Sequence, residues 1–209
     1  PEQSWNFEIG SHLTTDNNRL SADISAFYIR CNDQQLTRFP EGNTTGRIMS
    51  NAGKARSFGA EVALRYAPLN ELELNANYGY TNAKFIEYNN GKDDFAGKYI
   101  TYSPSNTFYV GATYTKDFNN SWFDAISINA NVKGAGKIYW NEDNSLHQPF
   151  YATANASIRV EHKNLSLDIW AQNLTNTNFK TFYFVSIGNA FLQRGKPRCL
   201  GATLRININ

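Results

Sequence analysis

The residues whose types could do chemistry are few and scattered. His12, His147 and His162 sit far apart in the chain, and Cys31 and Cys199 fit neither a metal-ligand nor a redox spacing, so the two cysteines read as incidental thiols. No Ser/His/Asp order, paired-carboxylate motif, phosphate-cradling glycine loop or metal box occurs in a context that supports it, and neither catalysis nor a metal or cofactor site is expected. Aromatic and cationic side chains are denser in four long segments: Arg38 and Arg47, then Tyr99 and Tyr102, then Trp140 and His147, then Tyr183 and Arg194 beside Phe179 and Phe182. Rings stack on rings and guanidinium pairs with oxyanions, so this set suits a small catecholate or carboxylate ligand. The same side chains would also serve to pack one loop on another. A further set of charges, Glu61, Arg65, Lys133, Arg159, Glu161, Asp168 and Arg205, with Glu8 and Asp23, shares one parity of a period-two pattern.

That pattern is the element that must position them. From Phe150 the residues Phe150, Ala152, Ala154, Ala156, Ile158 and Val160 alternate with Tyr151, Thr153, Asn155, Ser157, Arg159 and Glu161. Successive strand side chains point to opposite faces, so the segment has one apolar and one polar face. The rule recurs from Trp5, Leu20, Phe58, Leu72, Phe108, Ile126, Leu165 and Leu200, the Ile126 run being read through to Ile138, which makes about nine strands of ten or more residues. Membrane strands need roughly nine to eleven residues, whereas soluble strands usually stop at about five or six. The charges on the polar parity would then face a wet lumen, where they pair with one another, with water or with a domain seated inside.

Composition agrees. The 209 residues are rich in Tyr, Phe, Thr and Asn, with a formal net charge of +2, so no basic face points to nucleic acid. No run of ~18 apolar residues exists, which excludes a spanning helix and leaves a spanning barrel open. The connections alternate between tight and long. Tight turns fall at Asp16 to Asn18, Pro68 to Asn70, Asp117 to Ser121 and His162 to Asn164, and long connections at about 32–55, 86–105, 141–149 and 176–195. Short turns on one rim and long loops on the other is the layout of outer-membrane barrels, and by this parity Asn209 lies on the periplasmic side. Phe58, Tyr80 and Trp140 near the long-loop ends, and Tyr66, Tyr114 and Trp122 near the short turns, would form the two aromatic girdles.

Several stretches then resemble the TonB-dependent receptors of Gram-negative outer membranes. The opening PEQSWNFEIG resembles a strand of the distal half of their barrels, and NAGKARSFGAEVALRYAP at 51–68 resembles their "N-x-G-x-A…G-x-E" strand and turn. The close, AQNLTNTNF at 171–179, QRGKPR at 193–198 and GATLRININ to the end, resembles the finish of their last two strands. The resemblance implies an all-β, antiparallel, up-and-down barrel fragment: residues 1–209 as the C-terminal nine or so of about 22 strands, without the plug domain and first strands. One departure is the terminus, which ends Ile206, Asn207, Ile208, Asn209 where these barrels commonly end in an aromatic residue.

The resemblance further implies energy-coupled import across the cell outer membrane, of the siderophore type more than the glycan-importing branch. The implied partners are the lipid bilayer, the receptor's own plug and remaining strands, the TonB complex acting through the N-terminal part, and a small-molecule ligand. Two rivals stand: a passive porin-like small barrel, which would close on itself, and a soluble β-rich binding or adhesion domain, whose apolar parity would face a protein core. With nine strands the first and last run the same way, so closure on themselves would need a parallel pair, and an open sheet is expected.

Overall fold

The computed structural model describes residues 1–38, 48–118, 122–186 and 189–208; for 36–38, 50–52, 185 and 186 only the backbone is described. Thirteen strands form among them: β1 (Gln3–Thr14), β2 (Leu20–Arg38), β3 (Ile48–Leu69), β4 (Leu72–Glu87), β5 (Asn106–Asp117), β6 (Ala125–Ala135), β7 (Ile138–Tyr139), β8 (His147–Gln148), β9 (Tyr151–His162), β10 (Leu165–Gln172), β11 (Lys180–Ser186), β12 (Asn189–Arg194) and β13 (Cys199–Ile206). Nine make one antiparallel sheet in the order β1-β2-β3-β4-β5-β6-β9-β10-β13. Every neighbour is therefore the next long strand along the chain. The sheet is open, with β1 and β13 at its two edges.

The alternation decides the two faces. On the apolar face Ile9 is 77% exposed and Val110 54%, with Ile24, Ile128, Ile158, Ile169 and Leu204 also exposed. A soluble sandwich would bury these under a second sheet, and among the described residues no second layer covers them. On the polar face the side chains bond across strands. Asn129 donates to Thr113 Oγ1 (2.8 Å), Asn131 to Asn129 Oδ1 (3.0 Å), and Asn155 to Asn131 Oδ1 (2.8 Å), and the backbone N–H of Asn173 closes the series on Asn155 Oδ1 (3.0 Å). One ladder thus ties β5, β6 and β9 to the end of β10 on the wet side.

The register supplies the tilt that a barrel wall needs. One row of paired residues runs Leu20, Tyr66, Leu74, Ala112, Ala130, Ala156, Ala171, Leu200 across eight strands. Leu20 is the first residue of β2, whereas Leu200 lies six residues above Ile206, the short-turn end of β13. The row climbs roughly 20 Å over roughly 34 Å, an inclination of roughly 30°, near that of closed membrane barrels.

The described short turns hold through local bonds, residues 119–121 of the expected Asp117 to Ser121 turn lying outside the described residues. Thr15 N–H donates to the Leu20 carbonyl (3.0 Å), and Asn18 takes φ 54°. Lys163 sits at φ 51° in the two-residue turn between β9 and β10, its N–H donating to Asp124 Oδ2 of the neighbouring turn (2.5 Å).

Four expectations change. The first long connection is mostly strand, since β2 runs to Arg38 and β3 starts at Ile48, with register shifts between Cys31 and Gln35. Strand β6 runs to Ala135 and not to Ile138: the β5 side still bonds in register at Gly136 N–H to the Asn106 carbonyl (2.7 Å) and Ser105 N–H to the Lys137 carbonyl (3.2 Å), and Ile138 then pairs with Gln148 of the third connection. The fourth long connection carries a hairpin, β11 with β12, from its run of β-forming residues TFYFV. Strands β10 and β13 are eight residues long, shorter than the ten expected, Asn173 at φ 49° ending the first of them.

Neighbouring residues of β6 test the face assignment. Val132→Lys puts a charge among the exposed apolar side chains and should cost ~2–4 kcal/mol of unfolding free energy in phospholipid vesicles, whereas Asn131→Lys, on the wet face, should cost less than ~1 kcal/mol. Equal costs for the two would contradict it.

Candidate functional site: the long-loop rim

Three of the long connections are bound into one layer at the rim. Asn144 is the tie between the second and third: its side-chain amide accepts from Tyr99 N–H (2.7 Å) and donates to the Tyr99 carbonyl (3.0 Å). Its own φ of 63° suits asparagine, which tolerates the left-handed region. Gln148 Oε1 accepts from Lys180 N–H (2.8 Å) and joins the third connection to the hairpin of the fourth. Beneath the second connection, Ala55 and Phe85 at the tops of β3 and β4 are buried by Tyr88 and Phe95.

Tyr102 occupies the middle of this layer. Its hydroxyl donates to the Tyr183 carbonyl on β11 (2.8 Å), its ring stacks on Phe182 (centroids 5.3 Å) and tilts against Trp140 (5.6 Å). A φ of 61° is uncommon for an aromatic residue, and the hydroxyl bond and two ring contacts hold it there. Burial, with the Glu142 carboxylate adding to it, pushes the Tyr102 phenol above its ordinary pKa, so it remains a donor at neutral pH. The aromatic series continues through Phe184 to Phe191 of β12 (4.9 Å).

A second cluster lies beside it. Tyr99 stacks on Tyr139 (5.4 Å), His147 meets Tyr139 edge-on (5.9 Å), and Lys84 and Lys137 lie over the two tyrosine rings at 4.5 and 5.7 Å. Tyr99, Tyr139 and Lys137, with Thr81 and Ser103, line a cleft of about 210 Å³. Aromatic faces bearing ammonium groups can bind an anionic or aromatic ligand.

Tyr99, Tyr102, Trp140, His147 and Tyr183 are therefore brought together at one rim. Arg194, at the base of the β11–β12 hairpin opposite Lys180, is exposed and makes no ion pair among the described residues. Arg38 closes the β2–β3 ladder against Ile48, its side chain outside the described set, and Arg47 lies outside the described residues. Trp140 is no girdle residue: it is 6% exposed, packed within the loops, and its indole N–H has no hydrogen-bond partner among the described residues. Sequence reading missed Lys84, Lys137 and Tyr139. The signal available was that the apolar residues change parity above Tyr80, where Ala83 and Phe85 become the buried ones.

On the polar face the charges mostly satisfy one another. Arg65 pairs with Glu73 (2.7 Å), Arg159 with Asp168 (2.9 Å) and more distantly Glu161 (3.9 Å), and His12 with Asp23 (2.6 Å). Glu61, Lys133 and Arg205 make no ion pair among the described residues. Glu61 stands between Ser25 and Gly79 in the register, on the floor of an open cavity of about 680 Å³ that Gly10, Asp23 and Asn77 also line.

Comparison with known proteins agrees with this geometry. A family model described as TonB dependent receptor-like, beta-barrel matches residues 1–174. The chain is 26% identical over 210 residues to the pesticin receptor of Yersinia enterocolitica (serotype O:8), covering 99% of this chain and 29% of that protein. It is 29% identical over 162 residues to the ferrioxamine receptor of Yersinia enterocolitica, covering 73% of this chain and 21% of the receptor. The crystal structure of the ferric yersiniabactin uptake receptor from Yersinia pestis superposes with a TM-score of 0.83 at 22% identity, over all of this chain and 30% of that one. The chain thus spans about three tenths of the length of the pesticin and yersiniabactin receptors. With its single tilted sheet, uncovered apolar face and one long-loop rim, the chain belongs to the TonB-dependent receptor β-barrel family of Gram-negative outer membranes.

Proposed function

We propose that residues 1–209 form the C-terminal portion of the barrel of an outer-membrane importer driven by the TonB complex, one that takes up a ferric siderophore or similar metal chelate. The plug and the remaining strands belong to the rest of the receptor. The similarity along 99% of the chain to a receptor of this family carries the reading, and the names of the related proteins, which include ferrioxamine and ferric yersiniabactin receptors, supply the ligand class. The chain's part is to bind and to conduct, without catalysis.

Ligand capture falls to the loop layer. Tyr102, Trp140 and Tyr183 form its centre, Tyr99 and His147 its flank, and Arg194 with Arg38 and Arg47 supplies positive charge for the oxyanions of the chelate. On the polar face, Glu61, Lys133 and Arg205 are the residues assigned to the plug, because they lack ion-pair partners among the described residues. Arg65, Arg159, Glu161 and Asp168 sit in the same lumen but spend their charge on pairs that stiffen the wall. A passive porin fits less well, since the family model that matches residues 1–174 is that of the TonB-dependent receptors.

Two measurements test these assignments in the full receptor. Tyr102→Ala removes the bond to Tyr183 and both ring contacts, and energised uptake of the ferric chelate should fall about tenfold at unchanged receptor abundance; unchanged uptake would remove the loop layer from the binding site. Glu61→Gln should loosen the plug, raising passive entry of a large antibiotic several-fold, while Glu161→Gln should leave it unaltered. Equal entry in both variants would count against the plug assignment.

A further inference from the structure

Above the membrane-spanning part of the sheet, three cations occupy one register row on the lipid-facing parity. Arg30 of β2 pairs with Arg56 of β3, and Arg56 pairs with Lys84 of β4. All three continue the parity of Tyr28, Phe58 and Tyr80, so they project outward, away from the lumen. Like charges directly opposite in a sheet repel. Among the described residues none of the three has a carboxylate partner: Arg30 only reaches Asn32 Oδ1 (3.4 Å), and Lys84 lies over Tyr99. Lys54, higher on β3, does have one in Glu87 (2.8 Å), so acidic partners are used nearby but not in this row.

The depth of the row is set by what lies beneath it. Trp5 pairs with Arg30, and the next row down carries Phe7, Tyr28 and Phe58, exposed aromatic side chains of the kind that mark the edge of a bilayer. Arg30 stands ten residues above Leu20, the short-turn end of β2. At ~3.3 Å per residue and roughly 30° of tilt this is roughly 28 Å, one hydrocarbon thickness. The cations therefore lie at the headgroup level of the outer leaflet. They span two inter-strand steps, about 10 Å, wide enough for more than one phosphate.

We propose that Arg30, Arg56 and Lys84 form a binding site for a phosphorylated glycolipid of the outer leaflet, the lipid A part of lipopolysaccharide, with its phosphates on the cations and its acyl chains against the apolar face below. Shared phosphate oxygens convert the repulsion within the row into charge-assisted hydrogen bonds. This site faces the membrane, on the opposite side of the sheet from the lumen charges, and meets the rim layer only where Lys84 lies over the Tyr99 ring.

The full receptor, purified in detergent, tests this with bis-phosphorylated lipid A as the probe and retention read by native mass spectrometry. The wild type should retain it, and the triple variant Arg30→Gln, Arg56→Gln, Lys84→Gln should retain at least about tenfold less. Dephosphorylated lipid A should be lost equally by both. Stability separates the site from a structural role: without lipid A the triple variant should unfold at the same temperature as the wild type or higher, and lipid A should raise only the wild type. Unchanged retention in the triple variant, equal retention of the dephosphorylated lipid, or a triple variant less stable without lipid A would each overturn the proposal.

Discussion

In hydrocarbon an unpaired N–H or C=O has no water to turn to, and the whole arrangement of this chain follows from that constraint. Nine long strands answer it by pairing each with the next in one sheet. The turns on one rim stay short because consecutive strands are neighbours. The sheet's two edges are the outer flanks of β1 and β13, where the rest of a receptor barrel would continue the ladder.

Because a single sheet has no second layer, its two faces carry separate duties. One face meets lipid with side chains such as Ile9 and Val110. The other meets water and keeps order through cross-strand polar bonds, of which the series from Thr113 to Asn173 is the longest described. The unpaired Glu61, Lys133 and Arg205 stand apart from this self-satisfied network, as the unpaired Arg30, Arg56 and Lys84 do on the outer surface. In each case the informative feature is a charge with no ion-pair partner among the described residues.

Above the membrane the logic changes. Ala55 and Phe85 are on the parity that is polar lower down, yet they are buried, because the second connection folds over them with Tyr88 and Phe95. Loops become ordered there by ring stacking and by asparagine side chains that imitate backbone, Asn144 for Tyr99 and Asn173 for Thr177 and Lys196. Tyr102 concentrates the arrangement in one residue, held in an uncommon backbone conformation by contacts from two other connections.

The strands, their faces, the described tight turns and the two rims were legible in the sequence because period-two alternation is local: each residue declares its face by its own polarity. The family resemblance was legible for a related reason, since its motifs sit at strand ends where the backbone demands particular residues. What contacts what at the rim was not legible. The burial of Trp140, the stacking of Tyr99 on Tyr139 and the hairpin β11–β12 depend on residues far apart in the chain meeting above the sheet, and polarity alone carries no record of such meetings. The same holds for Arg30, Arg56 and Lys84, which are unremarkable one at a time; only the register of three paired strands placed them side by side.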